Sequence, residues 1–105
     1  MAQIQIDIPY EQITEFCRKW KIAEFALFGS VLREDFRPDS DVDVLVRFIP
    51  NPGWSLLDRA HMQRELSEIF HRKVDLVNRL GIERSRNPYR KKAILNSAQV
   101  VLDVA

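Results

Sequence analysis

Three aspartates and a Gly-Ser pair are the residues of this chain whose types and spacing could do chemistry. Asp41 and Asp43 lie in "DVDVLVRF" (41–48), a valine-rich run that otherwise reads as a strand. Strand side chains alternate between faces, so both acids point the same way, about 6.5–7 Å apart along the chain. If their carboxylates lean to within about 5 Å, repulsion reaches about 3 kcal/mol at an effective dielectric of about 20. One acid can keep its proton, each can find an Arg or Lys, or a divalent cation can sit between them. Magnesium favours a few carboxylates with phosphate oxygens and water, so a strand-borne Asp-x-Asp is a natural half-site for it. Asp75 is a third acid in an apolar strand candidate, "VDLV", where an unpaired charge is costly. If that strand pairs beside 41–46, three carboxylates meet on one patch, the ligand set for two metals at a phosphoryl centre.

Gly29-Ser30 supplies the other half of such a site. Gly29 lets a ligand approach the backbone, and Ser30 offers a hydroxyl and N–H groups at the start of a turn, where phosphate is favoured. Arg33 stands one turn on, within reach of a phosphate oxygen. Each residue also has a plainer role. Gly29-Ser30 can simply end a strand, Arg33 can be a solvated side chain, and Asp75 can pair with Lys73 or Arg72. His61 and His71 have no paired metal spacing, and "RKK" (90–92) reads as a solvated helix face.

Elements must position these groups, and the sequence marks most of them. A helix is expected over 9–20, with Ile13, Phe16, Cys17 and Trp20 in one apolar stripe that makes Cys17 a core residue. Residues 23–29 read as a buried strand, 31–35 as a brief helical turn and 41–48 as a second strand. Ser55 and Asp58 have capping-box spacing ahead of a helix carrying Met62, Leu66, Ile69 and Phe70. A third strand spans 73–78, and Gly81 to Arg86 reads as loop. Asn87 then caps a helix with Pro88 at its first position, running to about Asn96. Residues 100–103 fit a short strand or a helix end, and Trp54 fits either a partner anchor or a cover for the core edge. The expected fold is α/β (α+β): a small mixed sheet of three or more strands flanked by helices, in one domain over 1–105.

Composition narrows the setting. With 105 residues, 46% hydrophobic, the chain is long enough for one core and too short for two. A net charge of +1 gives no bulk argument for nucleic acid or membrane. A single cysteine excludes an internal disulfide framework. No apolar run approaches the about 20 residues of a membrane span, and "MAQIQIDIPY" lacks the marks of a signal peptide. A soluble, cytoplasmic protein is the expectation.

Gly29-Ser30, ten intervening residues, Asp41-Val42-Asp43 and a later strand acid together resemble the DNA polymerase β-type nucleotidyltransferase superfamily. The spacing alone would arise by accident in about one chain in a thousand of this length. The nearest resemblance, covering "FGSVLREDFRPDSDVDVLVRF" and "NPYRKKAIL", is to the minimal nucleotidyltransferases, or MNT proteins. Many of these are antitoxins encoded with a HEPN-domain RNase toxin. The resemblance implies a nucleotidyltransferase fold and transfer of AMP from ATP to a toxin tyrosine, which blocks the RNase. It implies that Asp41 and Asp43 bind two Mg²⁺ ions, that Asp75 completes one metal site and helps deprotonate the acceptor, and that Gly29 and Ser30 hold the β- and γ-phosphates. Arg33 matches a position that is usually basic or polar, and Arg47 stands where an acid is often found. The chain leaves no residues for an acceptor-holding domain, so a partner is expected to complete the site. Two other readings stay open: neutralisation of the toxin by occlusion alone, and transfer to a small molecule or nucleic-acid end.

Overall fold

Apolar runs separated by turn residues become a four-stranded sheet in the computed structural model of the chain, which describes residues 6–33, 36–37, 40–50 and 53–103. Helix α1 (Tyr10–Trp20) leads into β1 (Ile22–Phe28), followed by a single 3₁₀ turn, Gly29–Leu32. Strand β2 (Val42–Phe48), helix α2 (Leu56–Phe70) and strand β3 (Val74–Asn78) come next. The short α3 (Arg79–Glu83), then α4 (Pro88–Ser97) and β4 (Gln99–Asp103), complete the order. The strands lie in the order β3-β2-β1-β4. Strand β1 is antiparallel to both β2 and β4, whereas β2 and β3 are parallel, as a helical crossover through α2 requires.

Each face of the sheet has its own cover. Phe25, Leu27, Val42, Val44, Val46, Val74 and Leu76 turn to one side and pack with the α1 stripe and with Met62, Leu66 and Phe70 of α2. Ala26, Phe28 and Leu45 turn to the other and meet Ile82 of α3 and Ile94 of α4. The alternation in β2 is therefore strict. Its valines enter the large core, while Asp43 and Leu45 belong to the second face. The large core needs no polar partner. Cys17 lies inside it, and burial pushes its thiol up to about 12, which fits a packing role.

Local signals account for the boundaries. Lys21 closes α1 in the left-handed region at φ 57°, donating its N–H to the Cys17 carbonyl. Trp54 donates its ring N–H to the Trp20 carbonyl at 2.8 Å and meets the Trp20 ring edge-on, so it covers the core edge. Ser55 and Asp58 form the reciprocal capping box of α2, with Asp58 N–H donating to Ser55 Oγ at 3.2 Å and Ser55 N–H to Asp58 Oδ2 at 3.0 Å. Those hydrogen bonds hold the Asp58 carboxyl below the usual carboxylate range. Ser55→Ala should therefore cost about 1 kcal/mol, seen in a thermal melt as a midpoint lowered by about 4–8 °C.

Two expectations are settled by the tertiary structure. Residues 100–103 belong to strand β4, which pairs with β1. The stretch expected as loop from Gly81 is partly helical, because α3 begins at Arg79: the Asn78 side chain accepts from Leu80 N–H at 3.0 Å, and Arg79 pairs with Glu83 at 3.0 Å. Residues 34–35 of the expected turn after β1 lie outside the described residues.

Candidate active site

The second face of the sheet, beyond its small apolar cluster, carries the acids. Strands β2 and β3 pair in parallel register with Val42 opposite Val74 and Asp43 opposite Asp75. Directly opposed residues of adjacent strands project to one side, so Asp43 and Asp75 share a rung. Asp43 is half-buried and Asp75 exposed. Asp41 lies just before β2 begins, also exposed. Burial raises the Asp43 carboxyl above its ordinary value, and the charges of Asp75 and then Asp41 raise it further, against a lowering by Arg33. The structure thus brings Asp43 and Asp75 together and leaves Asp41 at the entrance to β2, within electrostatic reach.

Gly29 closes the other side. Strand β1 ends just before it at Phe28, which lies opposite Asp43 in the β1–β2 register. Gly29 has φ 77°, a left-handed value that favours glycine, and an added Cβ would collide with Asp43 Oδ2. The carboxylate of Asp43 therefore leans directly over the glycine. Ser30 donates its hydroxyl to the Asp41 carbonyl at 3.3 Å, tying the 3₁₀ turn to the entrance of β2. No side-chain hydrogen bond caps the N-terminus of that turn, and Arg33, exposed, follows it.

The approach to β2 is held from below. Val42 N–H donates to the Lys73 carbonyl at 3.0 Å. Arg72 donates to the Arg37 carbonyl at 3.0 Å and lies 4.6 Å from the Phe36 ring centroid. These contacts fasten the strand entrances that carry Asp41 and Asp75. Arg47 sits opposite Glu24 in the sheet, and Glu24 also pairs with Arg79 at 2.5 Å, all away from the Asp43–Asp75 rung.

A cleft of about 550 Å³ opens beside Gly29, lined by Leu32 and Arg33 on one side and Ala93, Asn96, Ser97 and Gln99 on the other. Sequence reasoning did not reach the α4 and β4 residues of this cleft. Nothing in their types marks them, and only the packing of α4 over the second face carries them there.

The donor set consists of carboxylates, hard oxygen ligands that match magnesium or calcium and not the softer metals. Among the described residues no group of three or more Asp, Glu, His or Cys side chains forms a metal-holding cluster. The arrangement is an open rung with a third acid nearby. Magnesium commonly uses one or two carboxylates and takes its remaining ligands from phosphate and water, so an open rung fits it.

Comparison with known proteins identifies the family and the fold. The profile of the nucleotidyltransferase domain matches residues 10–101. A Methanocaldococcus jannaschii protein that carries a provisional protein adenylyltransferase name is 37% identical over 76 residues, 72% of each chain. The Thermococcus cleftensis protein adenylyltransferase MntA is 33% identical over 69 residues, 66% of this chain and 68% of its own. Among solved structures, a toxin–antitoxin complex with AMP-PNP superposes with a TM-score of 0.69 at 19% identity, over 91% of this chain and 74% of that one. The complex of a tri-AMPylated Shewanella oneidensis HEPN toxin with its MNT antitoxin gives 0.60 at 20% identity, over 89% and 68%. At those identities the superpositions speak for the fold. The sequence matches carry the descent, and by them this chain belongs to the nucleotidyltransferase domain family, in its minimal MNT branch.

Proposed function

We propose that this nucleotidyltransferase is an antitoxin that transfers AMP from ATP to a tyrosine hydroxyl of a partner HEPN RNase toxin and so silences it. The observation that carries the reading is the rung on which Asp43 and Asp75 face each other, with the Asp43 carboxylate laid over Gly29. An acid pair beside a glycine turn suits a triphosphate neutralised by cations. The protein adenylyltransferase names of the relatives support AMP as the transferred group.

In this reading Gly29 and Ser30 receive the β- and γ-phosphates through backbone N–H groups and the Ser30 hydroxyl, and Arg33 offers its guanidinium to a phosphate oxygen. The nucleoside enters the cleft between the 3₁₀ turn and α4, whose size falls in the range of small-molecule sites, about 300–1,000 Å³. Asp41 and Asp43 would hold two Mg²⁺ ions, with Asp75 completing one of the sites. When bound, magnesium supplies positive charge against the charge that develops on the phosphate oxygens. Asp75 takes the proton of the acceptor tyrosine. The tyrosine oxygen bonds to the α-phosphorus in line, the bond from that phosphorus to the bridging oxygen breaks, and pyrophosphate leaves with the electron pair.

The test is to incubate the chain with a HEPN-domain RNase, ATP and Mg²⁺, and to weigh that RNase by intact-mass spectrometry. A mass gain of one or more AMP units, mapped to tyrosine and absent with Asp41→Asn or with EDTA, is the expected result. Neutralisation of the RNase that survives Asp41→Asn with no mass gain would instead mean that binding alone suffices.

A further inference from the structure

The near-zero net charge conceals a division of the chain. Residues 1–83 hold 11 Lys and Arg against 14 Asp and Glu, whereas residues 84–105 hold five against one. All five of those cations, Arg84, Arg86, Arg90, Lys91 and Lys92, fall within nine positions spanning the α3–α4 connection and the first turns of α4. Four of them are exposed and Lys91 is half-buried. No carboxylate among the described residues forms an ion pair with any of the five. In their midst stands Tyr89, 86% exposed, with its ring turned to solvent at the start of α4.

A cluster of this kind raises the question of what it is shaped to meet. The backbone is already occupied: the Asn87 side chain accepts from Tyr89 N–H at 3.1 Å and from Arg90 N–H at 3.2 Å, so the helix start has its cap and recognition falls to side chains. Protein interfaces favour Arg and Tyr but are depleted in Lys and charged residues at their core, whereas this patch carries five cations, two of them Lys, in nine positions. Arginines and lysines within five residues of an exposed aromatic ring supply the two needs of an unpaired nucleic-acid strand: charge along the phosphates and a flat surface for a base. A duplex would engage the cations and leave the ring idle. We propose that the α3–α4 elbow, through Arg84, Arg86, Arg90 and Lys92 with Tyr89 as the stacking platform, binds single-stranded nucleic acid.

Fluorescence anisotropy of a labelled 20-nucleotide single-stranded RNA, titrated with the whole chain without ATP or metal, tests this apart from the AMP-transfer reading. Binding should weaken with salt, with a log–log slope of about 2–3, as expected for three or four phosphate contacts at about 0.7 each. Arg86→Gln/Arg90→Gln/Lys92→Gln should lower that slope by about 2 and weaken binding more than about 10-fold. Tyr89→Leu should weaken binding about 5-fold or more while leaving the slope in place, the signature of lost stacking. Circular dichroism melts confirm that both variants remain folded. No anisotropy change at 50 mM salt would overturn the proposal, as would a triple variant that binds like the parent. Polyglutamate bound as tightly as the RNA would also overturn it, assigning the patch to an acidic protein surface.

Discussion

Asp43→Asn is expected to lower AMP transfer by at least about 10³-fold, the scale seen when a group that acts only in the transition state is removed, and yet to make the metal-free protein more stable. The two effects share one cause. Burial and the neighbouring charges of Asp75 and Asp41 raise the Asp43 carboxyl above its ordinary value, so at neutral pH its ionised form is held against its preference. Asparagine keeps the shape and removes the charge. The sign follows from linkage: a carboxyl raised on folding favours the native state below its unfolded value, and that contribution is lost as pH rises through the folded value. The stability advantage of Asp43→Asn should therefore be present at pH 7 and shrink as the pH falls and the native carboxyl regains its proton. Thermal melts of both proteins in EDTA from pH 7 downward give the comparison, and referring each pH to the variant cancels titrations common to both, such as that of Asp58. A variant less stable than the parent at pH 7 would contradict the strained-acid account. Adding Mg²⁺ and ATP should reverse the order, since only the parent gains from binding.

Gly29→Ala is the second large effect, and it acts through space and backbone together. A residue with a Cβ at φ 77° costs about 1–2 kcal/mol relative to glycine. The new methyl also meets Asp43 Oδ2, the free end of a side chain, so the carboxylate yields and the peptide backbone stays. Displacing a reacting-site group by about 1 Å can cost about 10²-fold in rate, and transfer should fall by that order. Gly53 supplies the control. It has the same φ of 77°, with nothing within 4 Å of an added Cβ. Gly53→Ala should show the stability loss and keep full transfer. Equal rates for the two variants would mean that the closeness of Gly29 to Asp43 has no catalytic weight.

Much of this architecture was legible because its signals are local. The apolar stripe of α1, the Ser55–Asp58 box and the Asn87-Pro88 start are each written within a few residues, and each is found where the sequence puts it. The alternation in β2 put Asp43 on the face opposite its valines, whereas Asp41, expected inside the same strand, lies just before it. Pairing direction was not legible, since parallel β2–β3 and antiparallel β1–β4 follow from how distant helices cross. The register that sets Asp43 opposite Asp75 is fixed by valines entering the large core, a property of both strands together. Helix α3 was missed because Gly81 reads as the start of a loop, while the Asn78 cap and the Arg79 pairs with Glu24 and Glu83 that steady the helix went unread, one of those pairs reaching across the sheet. The cleft residues Asn96 and Gln99 carried no mark at all, since neither type is distinctive and their position depends on α4 lying over β1.

The parallel pairing of β2 with β3 has a consequence for when this protein becomes competent during synthesis. Its facing acids are separated by the entire α2 crossover, so a ribosome that has released β2 has delivered only half of the rung. The early half is the more charged one, carrying Asp41 and Asp43, with Arg33 partly offsetting Asp43. In the AMP-transfer reading, competence then waits for β3 to dock in register and for α4 and β4 to close the cleft, and a chain cut or stalled before that point holds the motif without the means to use it.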